Sequence, residues 1–116
     1  MKKILLVAIF GLTIVFVSAQ AQAAEIFVGT SDATGWDCYV LTDSIRHKDE
    51  HRMLITFATL KMIDSSGVAQ YLNYTFFDLD GDFDGVEFSN DQGYRGMVTA
   101  QDTPIEWAMY TVCREY

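Results

Sequence analysis

The sequence is short of basic residues, has a single proline and contains no low-complexity run. Eight lysines and arginines stand against sixteen aspartates and glutamates, for a formal net charge of −8. This shortage of positive charge disfavours nucleic acid and anionic lipid as partners, because phosphate binding requires a basic face. An apolar content of 50% excludes a disordered chain. The composition is that of a folded, acidic domain.

The sequence also lacks an apolar run long enough to cross a membrane. The longest run covers residues 4–17, whereas a transmembrane helix needs about 20 apolar residues. It follows Lys2 and Lys3 and precedes an A-x-A motif at Ala21–Ala23. This is the pattern of a cleavable signal peptide, which we expect at residues 1–23.

Cleavage there leaves residues 24–116, a length that fits one small domain. Loss of the two lysines leaves six basic and sixteen acidic side chains. No cysteine lies at the cleavage site, so we expect no lipid anchor. The mature protein is therefore predicted to be exported and soluble, in the periplasm or outside the cell.

Cysteine is scarce as well, since only Cys38 and Cys113 occur and no C-x-x-C pair supports a redox role. In an exported chain an even number of cysteines indicates a disulfide. We therefore expect a Cys38–Cys113 bond, which would stabilise the fold by roughly 4 kcal/mol on a chain-entropy basis. Two free buried thiols are the alternative.

The C-terminal segment carries the clearest local signal, a helix over about residues 104–115. Thr103 and Glu106 have the spacing of a capping box, and Pro104 occupies the first helical position. Apolar residues then recur at helical spacing, which predicts one buried face. These are Ile105, Ala108, Met109, Val112 and Cys113.

Between the two cysteines the sequence is rich in β-branched and aromatic residues and in turn signals. Alternation places Trp36, Cys38 and Val40 on one side of a strand. The strands are predicted at 25–29, 36–42, 52–63, 69–79, 86–89 and 94–99. The predicted fold class is α+β: a single antiparallel β-sheet with a C-terminal helix packed on one face and tethered by the disulfide.

An aspartate-rich turn within residues 78–91 is a candidate calcium site. Asp80, Asp82, Asp84 and Gly85 fit the start of a D-x-D-x-D-G loop, and Asp91 falls at its twelfth position. The flanking residues indicate strands, not the helices of an EF-hand. The alternative is an acidic turn that keeps the edge of a sheet soluble. We predict no cofactor, with calcium at these four aspartates as the alternative.

A second motif, His47-Lys48-Asp49-Glu50-His51, matches the H-x-x-E-H pattern of inverted zinc proteases. That chemistry needs a helix and a third ligand, and the chain has no other histidine. We interpret the segment as a solvated hairpin turn. The sequence also lacks a nucleophile elbow, a phosphate-binding loop and a cysteine–histidine signature, so we predict that the protein is not an enzyme.

Several short motifs resemble those of the surface-adhesin protein E family. Tyr39 lies on a strand that leads into Asp43-Ser44-Ile45, and the terminal segment carries Trp107 and Val112-Cys113. The similarity begins at about residue 26. It implies an antiparallel sheet with a C-terminal helix held by a disulfide, and a cell-surface role. Characterised relatives bind host matrix and serum proteins.

The chain departs from that family at two points. The family's first cysteine usually falls near residues 76–78, where this chain has none, so Cys38 would replace it. Adhesin-type members also carry a lipid anchor. We expect an exported, non-enzymatic binding domain with a protein partner such as a host matrix or serum protein. The alternative is a small periplasmic module that binds calcium at residues 78–91.

Overall fold

The computed structural model describes residues 24–79 and 85–116. These residues form six strands and one helix, and each strand pairs antiparallel with the next one along the chain. The strands are β1 (Glu25–Thr30), β2 (Asp37–Glu50), β3 (Met53–Ile63), β4 (Ala69–Leu79), β5 (Glu87–Asn90) and β6 (Arg95–Met97), and the helix is α1 (Pro104–Cys113).

The antiparallel sheet is confirmed, but the α+β class is wrong. The described chain is mostly antiparallel β, a half-barrel of six strands with one short helix. The difference lies mainly in β2, which was expected to end at residue 42 and continues to Glu50. Its polar second half remains a strand because it pairs along β3, from Arg46 opposite Phe57 to Glu50 opposite Met53.

The Asp43-Ser44-Ile45 segment forms an irregularity in the middle of β2. The register with β3 shifts between Leu41 and Arg46. The Ser44 hydroxyl donates to the Leu41 carbonyl at 2.6 Å and accepts from the Thr59 amide at 2.8 Å. These two bonds satisfy backbone groups that the shift removes from the ladder. A bulge of this kind increases strand twist and bending.

The turn between β3 and β4 is built as the sequence predicted. The Asp64 carboxylate accepts from the amides of Ser66 at 2.9 Å and Val68 at 3.0 Å. Gly67 supplies the left-handed conformation that the turn requires, with φ of 88°. Hydrogen bonds from Ser66 and Val68 lower the pKa of Asp64 to about 2. The β3–β4 hairpin is therefore confirmed.

The core lies between the concave face of the sheet and α1. Alternate residues of each central strand are buried there, and the predicted placement of Cys38 and Val40 on one side of β2 is confirmed. The sheet contributes Cys38, Val40, Ala58, Leu60, Tyr74, Phe76 and Phe88, and the helix contributes Met109, Tyr110 and Cys113.

The predicted capping box at the start of α1 is wrong, because Thr103 makes no side-chain cap bond. Its hydroxyl donates to the Met97 carbonyl at 2.7 Å and accepts from the Thr99 amide at 2.8 Å. Thr103 thus fixes the loop before the helix, and Glu106 faces the core. The helix ends at Cys113, two residues earlier than expected.

The predicted disulfide is also wrong. Cys38 and Cys113 are both buried free thiols, and they are not close to each other. Cys38 lies against the first turn of α1, where it shares a cavity lining with Glu106. Cys113 comes seven residues after Glu106, about 10 Å farther along the helix axis. A disulfide needs Cα atoms within about 7 Å of each other.

Two sequence predictions fall on residues outside the described ranges. The signal peptide at 1–23 is one, and Asp80, Asp82 and Asp84 of the aspartate turn are the other. In the ranges 24–79 and 85–116, no helix has the length and hydrophobicity that a membrane span requires.

Gly29 of β1 lies against Ile105 of α1 and leaves no room there for a side chain. A Cβ on Gly29 would lie 2.8 Å from Cδ1 of Ile105, and the φ of 137° is itself strained for other residues. We expect Gly29→Ala to lower the free energy of unfolding by about 1–3 kcal/mol in urea titrations. Adding Ile105→Val should recover part of that loss, because it removes the methyl group in the way.

Gly67→Ala is the control for this experiment. Gly67 has a similarly unfavourable φ of 88° but nothing within 4 Å of the added Cβ. In the double variant of Gly67→Ala with Ile105→Val, the two changes in the free energy of unfolding should add. Additivity in the Gly29 pair as well would contradict the proposed contact.

Candidate functional site

Two buried tyrosine–carboxylate pairs join β4 to α1. The Tyr74 hydroxyl donates to Oε2 of Glu106 at 2.6 Å, and the Tyr110 hydroxyl donates to Oδ2 of Asp78 at 2.8 Å. β4 supplies the tyrosine of one pair and the carboxylate of the other, and α1 supplies the two partners. On each element the tyrosine and the carboxylate are four residues apart. These hydrogen bonds, and not a disulfide, connect the helix to the sheet.

Both tyrosines stay protonated over the whole ordinary pH range. Burial and the hydrogen bond to Glu106 raise the pKa of Tyr74 far above its usual value. Burial and the hydrogen bond to Asp78 do the same for the pKa of Tyr110. Each phenol is therefore a permanent donor to its carboxylate, and hydrogen bonds to charged groups are stronger than neutral ones.

At the Asp78 end of the helix, described side chains pack against the buried carboxylate. Asp78 is 0% exposed, and Nη1 of Arg114 lies 3.6 Å from its Oδ2. The ring of Phe76 packs 5.0 Å from that of Tyr110. On the neighbouring strand Thr56 is fully buried, and its hydroxyl lies 2.9 Å from Nδ1 of His47. The polar groups at this end are paired, so their role is structural.

The Glu106 end, in contrast, opens into a cavity of about 540 Å³. The cavity lies between the concave face of the sheet and the N-terminal turn of α1. The loop after β1 and the turn between β5 and β6 form its sides. Its apolar wall consists of Leu60, Met62, Leu72 and Ile105.

Glu106, which is 7% exposed, is one of the polar residues of the cavity lining. Tyr74 donates to Glu106, and the Asn90 side chain hydrogen-bonds Tyr74 in turn. The aspartates Asp32 and Asp102 lie in exposed positions of the same lining. The described residues around the cavity include these three carboxylates and no lysine, arginine or histidine.

Cys38 also lines the cavity, but its thiol is not activated. Burial raises the pKa of Cys38, and its Sγ lies 3.5 Å from the Trp36 carbonyl, to which it donates. Burial likewise raises the pKa of Cys113 to about 12. Because the thiolate is the nucleophile, neither cysteine has the character of a catalytic residue.

The structure separates Asp91 from the beginning of the aspartate turn. Asp91 Oδ2 accepts from Asn73 Nδ2 at 2.9 Å, beside the first half of β4. Leu79, where that turn begins, is six strand positions from Asn73, which corresponds to about 20 Å. Asp91 is thus engaged by Asn73 in the described structure. Calcium binding by Asp80, Asp82 and Asp84 stays a prediction.

The histidine motif is placed on a hairpin, as interpreted from the sequence. His47 lies within β2, and His51 and Arg52 form the turn to β3, with φ values of 50° and 70°. Without a helix the two histidines share no face in the manner of a zinc protease. Among the described residues no group of three or more histidine, cysteine or acidic side chains is arranged to hold a metal ion.

Sequence reasoning missed Tyr74 and Glu106 as partners. Glu106 occupies the capping-box position, so a local role already explained why a glutamate stands there. The signal that was available is its place in the helix. Glu106 precedes Met109, Tyr110 and Cys113 on the buried face at spacings of three, four and seven residues.

Removing the Tyr74 hydroxyl tests the buried pair. Tyr74→Phe leaves the Glu106 carboxylate without its donor, and we expect a loss of about 1.5–3 kcal/mol in the free energy of unfolding. Tyr71→Phe, three residues earlier and 56% exposed, is the matched control and should change it by less than about 0.5 kcal/mol. Equal effects in urea titrations would show that the pair contributes nothing.

Comparison with protein-family models, curated proteins and solved structures finds no significant match for this chain. The resemblance to the surface-adhesin protein E family therefore stays a prediction made from short motifs. The cavity and its lining are the structural features from which a function can be inferred.

Proposed function

We propose that the protein is an exported, non-enzymatic binding domain that takes a small amphiphilic organic ligand in the cavity beside Glu106. One observation carries this proposal. The cavity of about 540 Å³ lies within the size range of small-molecule sites, which are mostly apolar with a few convergent polar groups. The lining of this cavity is likewise mostly apolar, with a few polar groups.

The arrangement of the lining supports an oriented ligand. Leu60, Met62 and Leu72 belong to the sheet and form an apolar surface for a hydrocarbon group. The polar groups of Glu106 and Asn90 offer hydrogen-bonding partners for a head group. Because these side chains belong to paired strands and to the first turn of a packed helix, the site exists before the ligand arrives.

A neutral fluorescent probe, N-phenyl-1-naphthylamine, tests the cavity directly. We expect its emission to rise on binding to the purified domain and the rise to be lost in Leu72→Trp, whose larger ring fills the apolar part of the cavity. Thr75→Trp is the control, because Thr75 pairs with the exposed Phe57 on the convex face.

The opposite pattern would overturn the proposal. If Thr75→Trp abolished the signal and Leu72→Trp preserved it, the probe would be bound on the convex face. Absence of any signal in the unaltered protein would leave the cavity without a ligand-binding role. Circular dichroism spectra of both variants would establish that they retain the fold.

A protein partner is the second candidate, and the convex face favours it. Large apolar side chains are exposed there, with Phe57 at 40%, Leu79 at 54% and Met97 at 45%. The strand register shows that this surface extends across β3, β4, β5 and β6. Ile55 pairs with Phe77, and Glu87 pairs with both Phe77 and Met97. The resemblance implies a host matrix or serum protein as the occupant.

Export and surface exposure separate these candidates. A tagged chain in its own cell would be probed by protease treatment of intact cells, followed by fractionation of periplasm and medium. Protection in intact cells, with release in the periplasmic fraction, is the result expected for a periplasmic small-molecule binder. Cleavage at the surface would support the host-protein partner, and retention in the cytoplasm would contradict export.

A further inference from the structure

We infer that the ligand of this cavity carries a positive charge, an organic cation such as an alkylammonium with an apolar tail. The inference rests on the proposed function, since it names the chemical class of ligand for the same site. It is carried by the unbalanced negative charge of a largely buried carboxylate and by the apolar wall opposite it.

Glu106 provides the buried acidic side chain of the site. The residue lines the cavity although it is only 7% exposed, and its described hydrogen bond engages Oε2. A carboxylate accepts about four hydrogen bonds through its two oxygens. One donor, the Tyr74 hydroxyl, leaves accepting capacity for an ammonium group placed in the cavity.

The charge balance at Glu106 differs from that at the other buried carboxylate. Asp78 has the Arg114 guanidinium 3.6 Å away. Among the described residues, the ion pairs are Arg114–Asp78, Lys61–Glu25 and Lys48–Glu50, and Glu106 takes part in none of them. Removal of a charge from water is costly unless it is paired. A cationic ligand would supply that pair.

The helix terminus does not reverse this preference. Glu106 lies in the first turn of α1, where the helix dipole contributes about half a positive charge. The full charges of Glu106, Asp32 and Asp102, all in the cavity lining, outweigh it. The net charge of −8 adds a long-range attraction for cations.

The rest of the lining favours an organic cation over a metal ion. Within the described part of the chain the acidic side chains form no group of three suited to a metal ion. The apolar wall of Leu60, Met62 and Leu72 would gain nothing from a hydrated ion, whereas it buries a hydrocarbon tail favourably. Tyr94, half exposed in the same lining, offers an aromatic face to an ammonium.

The experiment compares three ligands with ten carbon atoms each: decylammonium, decanol and decanoate. Each compound is titrated against N-phenyl-1-naphthylamine bound to the domain, at neutral pH and below the concentration at which the compound aggregates. We expect decylammonium to act at a concentration at least about tenfold lower than decanoate, since a buried charged hydrogen bond contributes more than 1.4 kcal/mol.

Variants assign the preference to Glu106. Glu106→Gln should reduce the difference between decylammonium and decanoate to a larger extent than the matched control does. Glu115→Gln is the matched control, an exposed glutamate just beyond α1 that removes the same net charge. If Glu106→Gln does not fold, Asp32→Asn combined with Asp102→Asn, both exposed, should reduce the preference.

The outcomes separate the two proposals. If no compound displaces the probe and the probe itself does not bind, the proposed function fails. If all three displace it equally, the cavity binds amphiphiles and the inference of a cationic ligand is overturned. A preference that is reduced equally in Glu106→Gln and in Glu115→Gln would also overturn it, because net charge alone would then explain the selectivity.

Discussion

The attachment of α1 to the sheet depends on two buried carboxylates that are each held by a tyrosine hydroxyl. A carboxylate inside a core is costly unless it is hydrogen-bonded, so the positions of Tyr74 and Tyr110 are as important as those of Glu106 and Asp78. Each element donates in one pair and accepts in the other, so the helix is held at two points four residues apart. This arrangement gives the interface a directionality that apolar contacts such as Met109 against the sheet do not have.

The two ends of this interface differ in one respect, and that difference creates the candidate site. Near Asp78, the Phe76 ring packs against Tyr110 and the Arg114 guanidinium lies 3.6 Å from the carboxylate. Near Glu106, a cavity remains between the first turn of the helix and the sheet. The same kind of polar contact is therefore structural at one end and accessible to a ligand at the other. The tether and the proposed binding group are one residue, so ligand affinity and helix attachment are linked through Glu106.

Much of the fold was predictable because it depends on local patterns. The alternation around Cys38, the Asp64–Gly67 turn and the helical spacing before Cys113 each act over a few residues. The fold class and the disulfide were not predictable in the same way, since they depend on how far β2 continues and on where along α1 each thiol falls. The site is still less local. Tyr74 and Glu106 are 32 positions apart, and neither residue has a motif that points to the other.

The order of the strands has a consequence for assembly. Each strand pairs with its neighbour in sequence, so the sheet can grow by successive hairpins with short loop closures. The helix comes last in the chain, and both tyrosine–carboxylate pairs span 32 positions. The cavity therefore has no counterpart in the isolated sheet and exists only after α1 has docked. Any molecule that occupies it binds the fully assembled domain alone, and by mass action it suppresses fraying of the C-terminal helix.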